Sequence, residues 1–488
     1  MTMTNGTDRI PGQLAETLRE AGQTHLLRFW DSLDAADRGQ LLGQLAVIDW
    51  RQFAELQRLA AAGADHAATS ANDLAHASTP PMMRLRDSAN AVSPAAAAAA
   101  GEQALRAGGI GAILVAGGQG TRLGCTGPKG LYPVGPVSKA NLFQYLFGKL
   151  RAVRRRFGRE VPLAIMTSSA TDAETRQFLH DQGYCGLLPD CVHVFRQQDL
   201  PAIDASTGAL LLDSPGRLAL APDGHGGMLV GLAQSGGLGW FARHGVEQIV
   251  SFQVDNPLAM PLDREFLGYH VLAEADFSTQ VVRKREPAER VGVVVADDGR
   301  HRVVEYSDLP GPLAAERLPD GRLRFDAGSI AVHAFSFHFL ERVAARSDSL
   351  PLHLAFKAVP FVDEDGRRVS PRSPNAIKFE RFIFDLMPLA ERVRVVEIDP
   401  AEGFAPLKNP AGAAADAPEH VHAALVGHAR SLLAKAGVSV ADGIDVELES
   451  GTILDETDIA VAIPPGTRID RPQLISAPVS KPLEENPL

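Results

Sequence analysis

The chain has 488 residues, 45% of them hydrophobic and 22% charged, the ordinary balance of a soluble globular protein, which excludes a wholly disordered or fibrous chain. At about 100–200 residues per domain, this length suggests two to four domains. Lys plus Arg total 48 against 59 Asp plus Glu, a formal net charge of -11. That balance argues against nucleic acid or an anionic membrane as the main partner, but local cations could still hold a small anion.

From Leu14 to about Ala62, apolar residues recur at helical spacing: Leu18, Leu26, Leu27, Trp30 and Leu33, then Leu41, Leu45, Phe53 and Leu56. They are expected to pack, and His25 with them. Pro80 and Pro81 break the chain, and an alanine run from Pro94 favours helix. Ile113-Leu114-Val115 reads as a buried strand that stops at Gly117-Gly118. Asn141 to Arg151 is helical in spacing, Val161 to Met166 is a second buried strand, and Thr171 to Asp181 is helix-like. Arg154, Arg155 and Arg156 read as a solvated helix face. Ile249 to Val254 is a third strand, ending at Asp255-Asn256. Strands alternating with helices point to a doubly wound sheet, whose ligands gather at the carboxyl ends of the strands. Beyond Gly443, short β-like stretches recur at Val446–Leu448, Thr452–Leu454 and Ile459–Ile463, compatible with a small β domain or a few solenoid turns.

Cys125, Cys185 and Cys191 are too few for a disulfide framework and read as reduced thiols, Cys125 without a chemical role. The first residues carry no apolar signal core, and no run of about 18 apolar residues occurs. A soluble, cytoplasmic protein is the expectation.

The sharpest motif is Leu114-Val115-Ala116-Gly117-Gly118-Gln119-Gly120-Thr121-Arg122-Leu123-Gly124, followed by Gly127-Pro128-Lys129-Gly130. Glycines 117, 118 and 120 permit positive φ and close backbone approach to a ligand. Arg122 can grip two phosphate oxygens, and Lys129 adds a compact charge. The loop lacks the Gly-Lys-Ser/Thr of a Walker A motif. Its spacing also departs from the dinucleotide fingerprint, which speaks against an NAD-type oxidoreductase.

These residues resemble the UDP-sugar pyrophosphorylases of the UDP-glucose pyrophosphorylase type, most of all the UDP-N-acetylglucosamine subgroup. The resemblance begins at Ala21–Trp30 and continues through Phe195–Gln198, Ala221–Gly227, Val254–Asn256, Glu289–Val294, Val304–Ser307, Phe325–Gly328, Asn375–Glu380 and Pro406–Asn409. It covers about the first 410 residues in consistent order. The fold it implies is a Rossmann-like, doubly wound mixed sheet of the glycosyltransferase-A-like nucleotidyltransferases. The division expected is an N-terminal helical segment (1–105), a catalytic nucleotide-binding domain (106–410) and a small C-terminal domain with solenoid-like strands (411–488).

The implied reaction joins UTP to a sugar 1-phosphate, giving UDP-sugar and pyrophosphate by direct in-line attack on the α-phosphorus, with no covalent enzyme intermediate. By the same resemblance Arg122, Lys129 and Lys408 contact the reacting phosphates, Arg122 on the departing pyrophosphate. Gly117, Gly118, Gln197, Gln198, Pro222 and Gly224 bind the nucleotide. Lys378 lies near the phosphates or supports the fold. His225, Asp255, Gly292, Glu305 and Ser329 fall on the sugar side, and Asp255 is the implied ligand of Mg²⁺. Where the subgroup has Asn, this chain has His225, Asp326 and Ser329, so the sugar is less defined than the nucleotide. N-acetylglucosamine 1-phosphate is the first expectation, with glucose, galactose or N-acetylgalactosamine 1-phosphate as alternatives. A UDP-sugar sensor without catalysis is the competing class, and in either case a monomer or weak homo-oligomer is expected.

Overall fold

The computed structural model describes residues 10–61, 74, 76–346 and 350–478. It is a mixed α/β protein. Of the described residues, 10–61, 197–227 and 350–383 form one compact unit, and the rest form a second, larger one.

The larger unit is built on a nine-stranded mixed sheet. Ile110–Val115 is buried at all six positions and Leu163–Thr167 at all five. Such uninterrupted burial is what a sheet covered on both faces demands of its strands. Ile110–Val115 pairs in parallel with Leu163–Thr167 on one side and with Gln248–Gln253 on the other, and Val192–Arg196 extends the first side. The chain therefore leaves Ile110–Val115 in one direction and returns on its opposite flank. That reversal is a topological switch point, where open α/β sheets leave a crevice for ligands.

Beyond Gln248–Gln253 the sheet turns antiparallel through Ala327–Ser336, which also pairs with Phe277–Arg283. Helix Leu142–Phe157 makes the first crossover. Asn141 starts it with a capping box: its side chain accepts from Gln144 N–H while Gln144 returns a bond to the Asn141 N–H. Phe143, Leu146, Phe147 and Leu150 of that helix join Leu114, Ile165 and Phe252 in the principal core. The alanine run forms helix Pro94–Ala107, capped by Ser93.

Residues 418–478 carry a cluster of their own around Leu432, Leu433, Val446, Leu448 and Ile469. Ser439–Val440 pairs in parallel with Arg468–Ile469, and Val446–Leu448 with Gln473–Ile475. Three expectations fail in this region, the first at Thr452–Leu454, which is a turn and bend with Thr452 and Ile453 N–H both bonded to Glu449 O rather than a strand. Ile459–Ile463 is not β-like: Glu456–Ala462 is a helix, capped by Asp455, whose carboxylate accepts from Thr457 N–H. The arginine run is not a solvated face either. Arg156 binds Asp455 and Asp458, and Arg155 donates to the carbonyls of Thr452 and Pro478.

The smaller unit packs helices Gly12–Glu20, Ala35–Ala46 and Trp50–Ala61 with a three-stranded antiparallel sheet of His353–Lys357, Ala376–Glu380 and Ile203–Asp204. Leu18, Leu26, Trp30, Leu41, Phe53 and Leu56 meet Ile203, Ile377 and Phe379 in its core. His25 is packed as expected, its Nε2 2.8 Å from the Leu210 carbonyl. No helix among the described residues is long and apolar enough to cross a membrane.

Candidate active site

The glycine loop leaves Val115 at the switch point. Ser168 donates its hydroxyl to the Gly117 carbonyl at 2.8 Å, Gly120 N–H bonds Gly127 O at 3.0 Å, and Lys129 N–H bonds Gly118 O at 3.0 Å. The loop is thus closed on itself by backbone bonds. Its left-handed residues are Gly124 (φ 78°) and Gly127 (φ 99°), whereas Gly118 and Gly120 are not positive in φ. The reason for Gly118 lies elsewhere. A Cβ there would meet no protein atom within 4 Å, so packing does not demand glycine and the bare backbone is left open to a ligand. Arg122 is exposed.

Lys129 and Asp255 are 14 and 2 residues past neighbouring parallel strands, and the fold brings them together. Lys129 Nζ lies 3.6 Å from Asp255 Oδ2 and 3.3 Å from the Leu407 carbonyl. Leu407 N–H in turn bonds the Asp255 carbonyl at 2.8 Å, which places the Lys408 backbone one residue from the same corner. Asn256, only 2% exposed, ties the two segments further: its amide donates to Gly403 O at 2.9 Å and accepts from Ala405 N–H at 3.0 Å.

Two neighbours were not singled out from sequence. One is Asn256 as a cross-tie. The other is Asp416, whose carbonyl accepts from both Lys408 and Asn409 N–H. Burial holds the Asp416 carboxyl above its usual range, with Lys408 opposing and Asp255 reinforcing the shift. The sequence offered a signal only for Asn256, adjacent to Asp255 in a quoted motif.

Gly292, Glu305 and Ser329 also meet in the larger unit. Ser329 N–H bonds Gly292 O at 2.8 Å, and a side chain at Gly292 would come within 3.1 Å of Glu305 Oε1. Asp326 does not join them. Its carboxylate, 1% exposed, accepts both Arg84 Nη1 (3.0 Å) and Nη2 (3.2 Å), so it is a buried ion-pair partner rather than an altered sugar contact.

In the smaller unit, Gln197 is 6% exposed and its Oε1 is buried without a hydrogen-bond partner. An orphaned acceptor of this kind calls for a bound molecule's donor or water. Asp223 N–H bonds the Gln198 carbonyl at 3.1 Å, and Pro222 pairs with Asp199. Gly224 has φ 83°, and a Cβ there would sit 2.5 Å from Arg381 O; only glycine fits. Behind this turn Asp223 Oδ2 pairs with Arg381 Nη1 at 2.9 Å. His225 accepts Ile383 N–H on Nδ1 at 3.1 Å and stacks on Phe382. Burial, then the neighbouring His353, pushes its imidazole down to about 4, so it is neutral at pH 7. Lys378 lies on strand Ala376–Glu380, half-buried.

A glycine turn at a switch point, with a lysine and an aspartate converging on it, is the arrangement of an α/β protein that handles a phosphorylated ligand. Relatives sharpen this. A model of the family described as UTP–glucose-1-phosphate uridylyltransferase matches residues 71–413, more than half of the chain, and the chain belongs to that family. The human UDP-N-acetylhexosamine pyrophosphorylase-like protein 1 is 37% identical over 419 residues, covering 84% of this chain and 82% of its own. The UDP-N-acetylglucosamine pyrophosphorylase of Saccharomyces cerevisiae is 33% identical over 443 residues, covering 88% and 93%. Among solved structures, the uridine diphosphate N-acetylglucosamine pyrophosphorylase of Trypanosoma brucei in complex with an inhibitor matches with a TM-score of 0.77 at 26% identity, covering 96% of this chain and 99% of that one.

Proposed function

We propose that this uridylyltransferase uses N-acetylglucosamine 1-phosphate, making its UDP-sugar and pyrophosphate from UTP. The observation that carries the chemistry is the 3.6 Å approach of Lys129 to Asp255 beside the glycine loop. The sugar rests on the relatives named for N-acetylglucosamine and N-acetylhexosamine. Glucose 1-phosphate and other sugar 1-phosphates are the alternatives.

The obstacle to this reaction is electrostatic, because two polyanions must meet in line. Lys129 and Lys408 would offset charge at the α-phosphate, and Arg122 would follow the departing pyrophosphate. Gly117 and Gly118 give the nucleotide close backbone contact. Gln197, with its orphaned Oε1, is suited to the uracil N–H, with Gln198, Pro222 and Gly224 beside it and Lys378 on the nucleotide side. Gly292, Glu305 and Ser329 would take the sugar. His225, whose Nδ1 is already used by Ile383, would act on the sugar side through its ring rather than as a charge.

Asp255 fits Mg²⁺ as one partly exposed carboxylate. Among the described residues no group of three or more metal-binding side chains occurs, so phosphate oxygens would complete the shell, a habit of this ion. The ion would supply charge neutralisation across the phosphates.

We read the sheet as the Rossmann-like, doubly wound core of the glycosyltransferase-A-like nucleotidyltransferases, and residues 411–478 as a small C-terminal domain, supported by its own apolar cluster. A cytoplasmic site of action accords with three free cysteines.

The test is pyrophosphate release from UTP and Mg²⁺ with a panel of sugar 1-phosphates. Turnover fastest with N-acetylglucosamine 1-phosphate is expected. Preference for another sugar overturns the substrate, and UDP-sugar binding without turnover on any sugar replaces the enzyme by a sensor.

A further inference from the structure

Lys149 sits on helix Leu142–Phe157 and is only 9% exposed. Taking an ammonium out of water is costly unless a carboxylate answers it. Among the described residues none lies within ion-pair distance of Lys149. Its Nζ instead donates to two backbone carbonyls, Pro257 O at 2.5 Å and Ala259 O at 2.7 Å. Burial pushes this lysine down to about 7. An apolar residue would be the cheaper occupant for packing alone; the amine is answered instead by the two carbonyls, with the Tyr145 ring centroid 5.9 Å from Nζ as a weaker cation–π partner.

Those carbonyls belong to the irregular turn that follows Asp255 directly. Backbone groups buried in such a turn need donors, and no ladder supplies them here. The same turn is cross-tied by Asn256 to Gly403 and Ala405, and Leu407 N–H closes on the Asp255 carbonyl. Fixing Pro257–Ala259 from beneath therefore fixes both Asp255 and the strand of chain that delivers Lys408.

Resting on the uridylyl-transfer reading above, we propose that Lys149 is a positioning residue that locks the 255–259 turn and so holds Asp255 and Lys408 in register for the reaction. A small displacement of a reacting group can cost about 10²-fold in rate, and that is the loss expected in kcat for Lys149→Met. The KM for the sugar 1-phosphate should move by less than about threefold, because Gly292, Glu305 and Ser329 lie outside the turn that Lys149 holds. Lys149→Arg, which returns a cation to the same carbonyls, should recover to within about tenfold of wild type. A Lys149→Met protein that loses thermal stability yet keeps kcat within about twofold would overturn the proposal.

Hydrogen exchange at Ala259, Ala405 and Leu407 N–H supplies a readout that needs no turnover. Exchange at least about tenfold faster in Lys149→Met supports the lock, and unchanged exchange defeats it, whatever the fate of the enzymatic reading. If Lys149→Met does not fold, Lys149→Gln, with a shorter donor, is judged by the same two measurements.

Discussion

In the larger unit Lys129 and Asp255 face each other at 3.6 Å with 17% and 20% of their side chains in solvent. In the smaller unit Arg381 and Asp223 meet at 2.9 Å with 8% and 0% exposed. The first pair is screened, so its contribution to stability is at most about 1 kcal/mol and its members can be reassigned to phosphates. The second is sealed, and removing one partner strands a charge away from water. Composition alone treats the two pairs alike. Their solvent contact separates a pair that a ligand can reach from a pair that shapes a turn.

Lys129→Met should lower kcat by about 10²–10³-fold with the unfolding midpoint nearly unchanged, as steady-state rates and thermal melts will show. A variant with normal rate would place the charge work elsewhere. Arg381→Met should do the reverse, costing about 3–5 kcal/mol in urea unfolding, because Asp223 would keep its burial and lose its answer. Intact stability would show that water reaches Asp223.

Acid should weaken the smaller unit through His225. Its folded value of about 4 lies below the ordinary 6.5, so its contribution is complete above pH 6.5 and is lost as pH falls toward 4, by up to about 1.4 kcal/mol per pH unit. Asp223, pushed up to about 6 by burial against the opposing pull of Arg381, has the opposite sign. The histidine's share is therefore read as a difference: wild type should lose more stability between pH 7 and 5 than His225→Asn. Equal losses would mean that His225 protonates freely. The smallest effect is expected at Gly118. Gly118→Ala should leave stability within about 0.5 kcal/mol while raising the KM for UTP, since the added methyl meets open space in the protein and a ligand on the other side.

Local patterns carried much of this fold. Ile110–Val115, Leu142–Phe157 and Gln248–Gln253 lie within a few residues of where apolar runs and spacing put them, because each is buried enough for period and length to speak. Ile459–Ile463 failed because its apolar stretch was weighed without the Asp455 cap three residues upstream of Asp458. Arg156 and Asp326 failed for another reason: their partners, Asp455 and Arg84, lie 299 and 242 residues away, a distance no window reads. In the site, motif residues gave Lys129, Asp255 and the 292–305–329 group. Asn256 as a tie, Lys149 beneath it and Asp416 beside it depend on tertiary approach alone.

Glu447, on strand Val446–Leu448 and 3% exposed, accepts the N–H groups of Val137 and Ser138 at 2.7 Å each and the Ser138 hydroxyl at 2.6 Å. That bend begins eight residues after Lys129. A chain emerging from the ribosome thus makes this bend about 310 residues before the carboxylate that secures it. The bend must stay unsecured until late in synthesis, and a nascent chain stalled short of Glu447 would hold every strand of the main sheet with this bend still loose.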